Sequence, residues 1–328
     1  MLDQPSEATA PHPLSRARWF LLLPPIRLLL AACLLLLFIL AFATVLKAIP
    51  GHDLVSRWLF GDAPYARDLT GSLFSELALA VSVLFTGGLL ARWIERRPLA
   101  ELCPTPGRAL RDLFAGFLCG GLIMSVVVGL LAVTGWFRFA GQPDALWPIV
   151  VTALIYLLVG VSEEMLFRGI LFRILEEGLG TWVALVLASL LFGLAHLANA
   201  NASLSASLSI TLEAGILLAA AYILTRNLWL AIGIHWGWNF FQGSVFGAHV
   251  SGNGDDPALL HGEPVGPHLW TGGAFGPEAG LVALFVALTA GLILLAAAWC
   301  RGQFRVPQWW MERRLRRTAA PEEAPLSP

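Results

Sequence analysis

Three short clusters in this chain have the residue types and spacing that hydrolysis uses. They are Glu163-Glu164 followed by Arg168, Phe192 followed by His196, and His235 followed by Asn239. Residues four apart share one face of a helix, so Glu164 can pair with Arg168, and His235 converges with Asn239. Glu163 is turned by about 100° from its neighbour on a helix of 3.6 residues per turn, which leaves one carboxylate facing elsewhere. A carboxylate or an imidazole takes a proton from water, and a histidine and an asparagine can donate to a developing oxyanion. No Ser, Cys or Thr stands beside a matching base, so attack by activated water is simpler than an acyl-enzyme. Each cluster also has a structural explanation: an ion pair tying helices together, a hydrogen-bonded packing histidine, and an interhelical clamp. Only their combination points to chemistry.

The elements that must position these residues are membrane helices. Of the 328 residues, 57% are hydrophobic and 13% charged, where a soluble domain carries about 25% charged, and the mean hydropathy is +0.72. Apolar stretches at 28–46, 69–91, 110–137, 147–172, 181–199, 211–225, 228–248 and 279–300 predict an all-α polytopic transmembrane bundle. It has about eight spans, four of them forming a catalytic core over 147–248. Ionisable side chains inside such spans cost about 2.5–3.5 kcal/mol each on insertion scales. Counted at 1.5 Å per residue from the predicted inner ends, Glu163, His196 and His235 lie roughly 10–23 Å deep and could share one cavity. Gly116/Gly120 and Gly233/Gly237 fit small-residue packing faces. The stretch 211–225 is short and carries Glu213 near its start. Cys33, Cys103, Cys119 and Cys300 show no paired spacing and read as small apolar residues.

Charge placement predicts orientation. Arg16, Arg18, Arg27, Arg92, Arg96, Arg97, Arg108, Arg111, Arg173, Arg226 and the cluster from Arg301 to Arg317 fall on one side. Lys47, Arg57, Arg67 and Arg138 fall on the other. The positive-inside rule places both termini in the cytoplasm, in a membrane of bacterial plasma-membrane type. Residues 1–27 form a cytoplasmic tail, 28–300 the membrane domain and 301–328 a second tail. In that tail Trp309 and Trp310 among arginines suit a lipid interface, and the final residues suit disorder. The loop 250–278, with Asp255, Asp256, His261, Glu263 and His268, reads as an exposed outer loop without metal-ligand spacing. The net charge of −1 suggests no nucleic-acid partner.

The three motifs, in this order on successive apolar segments over roughly 147–245, resemble the CPBP family. It comprises CAAX prenyl endopeptidases and bacteriocin-processing, Abi-like membrane proteins. Its signature of EExxxR, FxxxH and HxxxN is matched by Glu163-Glu164 with Arg168, Phe192 with His196, and His235 with Asn239. The resemblance implies an intramembrane glutamate-dependent endopeptidase. Glu163 would activate water with help from His196, His235 and Asn239 would stabilise the oxyanion, and Glu164, Arg168 and Phe192 would support the site. It implies no bound cofactor; a zinc ion held by Glu163, His196 and His235 is the chemical alternative, although HExxH is missing. The expected partners are the bilayer and a membrane-associated or lipidated peptide, cut near the cytoplasmic side. Two competing readings are a non-enzymatic scaffold or bacteriocin self-immunity factor and, from intramembrane ionisable residues alone, a transporter.

Overall fold

The structure is a computed structural model and describes residues 21–48, 52–61, 63, 65–98, 106–254, 256–307 and 310. The expectations for Arg16, Arg18, the Lys47 side chain, Cys103, Asp255, Trp309 and the tail beyond 310 lie outside the described residues. The chain is an integral membrane helical bundle: α1 (Pro24–Ala48), α2 (His52–Phe60), α3 (Ala66–Leu89), α4 (Pro106–Val133), α5 (Leu146–Glu164), α6 (Arg173–Leu179), α7 (Thr181–Ala195), α8 (Leu204–Ile210), α9 (Ile216–Thr225), α10 (Trp229–Asn239), α11 (His268–Thr271) and α12 (Leu281–Cys300). Among the described residues, seven helices are long and apolar enough to cross a membrane. The eighth expected span appears as α10 plus a π turn, Phe240–Val245, and is too short to join them. The span expected from residue 211 begins earlier, at Leu204, because Ser203 caps α8 by accepting from Ala206 N–H at 3.1 Å; serine is a preferred cap.

Helices need not be continuous in register. Wider π turns follow α5 (Met165–Phe172), α8 (Thr211–Gly215) and α10 (Phe240–Val245). The first begins directly after Glu164, the second contains Glu213 and the third begins directly after Asn239. Such turns concentrate at functional sites.

The glycine faces expected from sequence meet each other. A Cβ on Gly233 would lie 2.9 Å from Gly116 Cα, and one on Gly237 would lie 2.9 Å from Phe117 Cα. Side chains there would push α4 and α10 apart, so the four glycines fix the depth and rotation of the helix carrying His235 and Asn239.

The two ends of the bundle differ. One gathers arginines and glutamates from the start of α1, the end of α3, α6 and α9. Arg27 contacts Glu95 at 3.1 Å and Glu177 at 2.7 Å. Arg97 meets Glu177 at 2.6 Å, Arg173 meets Glu95 at 2.6 Å and Arg226 meets Glu176 at 2.7 Å. The other end carries a folded cap. A two-stranded antiparallel sheet pairs β1 (Phe137–Ala140) with β2 (His261–Pro264), with Phe137 opposite Pro264. Asn199 and Asn201 donate to the carbonyls of Ser251 and Gly252, both at 3.0 Å. The described residues of 250–278, expected to form an exposed outer loop, fold onto the bundle in part, with Val250, Phe275 and Glu278 buried.

Candidate active site

Glu164 is the buried centre of the site. Its side chain has no exposure and its Oε1 accepts from Arg168 Nη1 at 2.8 Å. The pairing expected from the four-residue spacing is present even though the π turn starts between the two residues. Arg168 also donates through Nη2 to the carbonyls of Ala214 at 3.3 Å and Gly215 at 3.2 Å. Its guanidinium carbon stands 4.4 Å from the centre of the Phe192 ring. One arginine thus joins α5, the π turn at Thr211–Gly215 and α7. A buried charge is tolerated when paired and hydrogen-bonded in this way.

The same Glu164 Oε1 holds His235, whose Nδ1 lies 3.0 Å away. Since the carboxylate accepts, Nδ1 carries the proton and Nε2 is left facing Glu163 Oε2 at 3.9 Å. Glu163 differs from its neighbour: its side chain keeps 28% of its exposure. It was expected to meet His196, and the partner the structure gives it is His235.

His196 closes α7 in a 3-10 turn, His196–Ala198. Its Nδ1 donates to the Phe192 carbonyl at 2.8 Å, which leaves the Nε2 lone pair available in the neutral ring. The Phe192 ring centre is 4.9 Å from that of His196 and 6.3 Å from that of His235, so Phe192 packs against both imidazoles and the arginine. Close approach at Gly193 lets Ser207 donate to its carbonyl at 2.8 Å.

Glu163, His196, His235 and Asn239 line one cavity of about 610 Å³. A smaller inner pocket lies beyond it, and His196, His235 and Asn239 border both. The four residues expected to be catalytic therefore border one space, and Glu164, Arg168 and Phe192 pack against His235 and each other behind it. Among the described residues no three His, Cys, Asp or Glu side chains are grouped as a metal ion would need, Glu163, His196 and His235 included.

Several residues of the site escape motif reading. Glu76 on α3 lines the same cavity as Glu163; the cost of a carboxylate within 69–91 was a usable signal. Tyr156 stands two turns before Glu163 and donates to Asp256 of the cap at 2.5 Å. Glu278 accepts from Trp238 Nε1 at 3.2 Å and from the Ser251 N–H, and shares the inner pocket with Glu213. Burial raises its carboxyl above the usual carboxylate range. Nothing local in GPEAG announces that role, because it depends on the cap folding back.

Residues 145–241 match the family model for type II CAAX prenyl endopeptidase, Rce1-like. This segment is similar to an Rce1-like domain. The matched segment holds all three motifs and the whole of α5, α7 and α10. No curated protein matches the chain, and no solved structure does. The Rce1-like domain brings a protease family and a membrane-embedded helical bundle together, which implies a peptide or protein substrate in a lipid setting.

Proposed function

We propose that the Rce1-like domain is an intramembrane endopeptidase that hydrolyses a peptide bond with water activated by Glu163. The observation that carries this reading is the placement of Glu163, His196, His235 and Asn239 around one cavity, with only Glu164 consumed by the arginine. Glu163 takes the proton of the attacking water. His196, with its Nε2 lone pair, shares the base role and returns a proton to the leaving amine. Asn239 and the protonated form of His235 donate to the oxyanion as it develops. Glu164 holds His235 through Nδ1, which fixes the ring so that Nε2 faces the reacting centre. Removing either buried partner would disturb that orientation rather than the chemistry itself.

A scaffold reading needs the same polar residues as packing elements only. It does not account for Glu163, which makes no hydrogen bond through Oε2 and whose partial exposure is to the cavity. The deciding experiment compares peptides cleaved in membranes containing the wild-type protein with those containing Glu163→Ala. New peptide termini that vanish with Glu163→Ala support the protease. Identical termini in both, or full function of a folded Glu163→Gln protein in the cell, favour the scaffold.

A further inference from the structure

The side from which the site is reached follows from two observations that are independent of each other. The first is the cavity. Its wall runs from Arg67, Asp68 and Ser72 on the first turns of α3 to Asn199, Asn253 and Asp256 in the cap. Arg67, Asp68, Ser72 and Asn253 are exposed, so the mouth is at the cap end of the bundle. Towards the opposite end both site helices are sealed. After Glu164 come buried Arg168, Ile170 and Phe172, and before His235 come buried Ala231, Ile232 and Ile234. A second cavity at that opposite end is lined by Arg97, Arg173, Arg226 and Arg305 and shares no lining residue with the first.

The second observation is the charge. The sealed end collects Arg27, Arg97, Arg108, Arg111, Arg173, Arg226 and Arg305 near the helix termini, whereas the cap end has Lys47, Arg57, Arg67 and Arg138. The positive-inside rule counts arginines and lysines within about 15–20 residues of the span ends, and acidic residues contribute little. The glutamates that neutralise the arginines therefore do not weaken the assignment.

We infer that the cavity opens to the non-cytoplasmic side of the membrane. The substrate, on the protease reading above, is then a membrane-anchored peptide whose polar, extended segment enters from outside, and not a lipidated C-terminus presented from the cytoplasm. The wall chemistry agrees: charged and polar side chains dominate it, with Ile155, Val159 and Val250 the large aliphatic residues, which suits peptide groups better than a prenyl chain. This reverses the cytoplasmic cleavage expected from the sequence.

The test maps accessibility without using activity. Cys33, Cys103, Cys119 and Cys300 are replaced by serine, and single cysteines are placed at Ser72→Cys, Ser75→Cys and Arg301→Cys. A membrane-impermeant maleimide is then applied to right-side-out and inverted vesicles. The expected result is labelling of Ser72→Cys and Ser75→Cys in right-side-out vesicles and of Arg301→Cys in inverted ones. Labelling of Ser72→Cys and Ser75→Cys only in inverted vesicles overturns the inference. A quenched impermeant peptide added to the same vesicles separates the two claims. Cleavage confined to inverted vesicles overturns outside access while keeping the protease. Outside labelling without cleavage of any peptide keeps the access route and counts against the protease.

Discussion

His235 and Arg168 share one acceptor atom: Glu164 Oε1 lies 3.0 Å from His235 Nδ1 and 2.8 Å from Arg168 Nη1. The second glutamate of the pair is therefore an anchor that orients an imidazole, and on the proposed mechanism the first is left for chemistry. Replacing Glu164 by Gln strands a buried guanidinium, a change that costs about 3–5 kcal/mol in comparable buried pairs. Thermal unfolding in detergent should show Glu164→Gln and Arg168→Met each strongly destabilised and the double variant less so than their sum. Strict additivity would mean that the pair is not coupled.

His196 and Asn239 should be separable from that anchor. His196→Ala is expected to lower kcat by about 10²–10⁴-fold, the range for a general acid or base. Asn239→Ala is expected to lower it by about 10²–10³-fold, as for an oxyanion donor. KM should stay close to wild type in both, since these interactions form in the transition state. An effect confined to KM would move either residue from catalysis to substrate binding.

The glycine contact between α4 and α10 predicts a loss of function at a distance from the cavity wall. Gly237→Ala puts a methyl group against the Phe117 backbone and should cost about 1–3 kcal/mol, the range for overpacking, with activity falling because His235 and Asn239 move with their helix. Gly129→Ala, on the same α4 with open space around it, should be neutral. Equal behaviour of the two variants would show that the close approach is not required.

Glu278 predicts a pH dependence of the cap. Burial raises its carboxyl, so the folded protein binds that proton more tightly than the unfolded chain. The resulting stabilisation is fully present below the ordinary glutamate value of about 4.3 and is lost as pH rises through the raised folded value. Hydrogen exchange at Val250, Ser251 and Phe275 should slow as the solution is acidified towards that range, after correction for intrinsic rates. Glu278→Gln should flatten this trend; an unchanged trend would assign it to another group.

Much of the fold and site was legible because it is local. Apolar length marks the spans, and four-residue spacing brings Glu164 to Arg168. The glycine pairs at 116/120 and 233/237 mark a helix contact, although not that they face each other. What depends on long-range return of the chain was hidden. The cap over 246–280 folds back through Tyr156–Asp256 and Trp238–Glu278, and its polar, glycine-rich sequence looks like any exposed loop. Glu163 meeting His235 rather than His196 was equally hidden, since helix rotation is set by packing and not by spacing within one helix. The start of α8 at Leu204 was missed because serines 203, 205, 207 and 209 mask an apolar pattern.

The most direct test of the account is single-turnover cleavage of one peptide by purified protein after exhaustive chelation, with wild type and Glu163→Gln measured side by side and matched for thermal stability. The account predicts full cleavage by the chelated wild type and a loss of at least about 10²-fold in Glu163→Gln, the smallest effect expected on removing a general base. Cleavage by Glu163→Gln at the wild-type rate would contradict it.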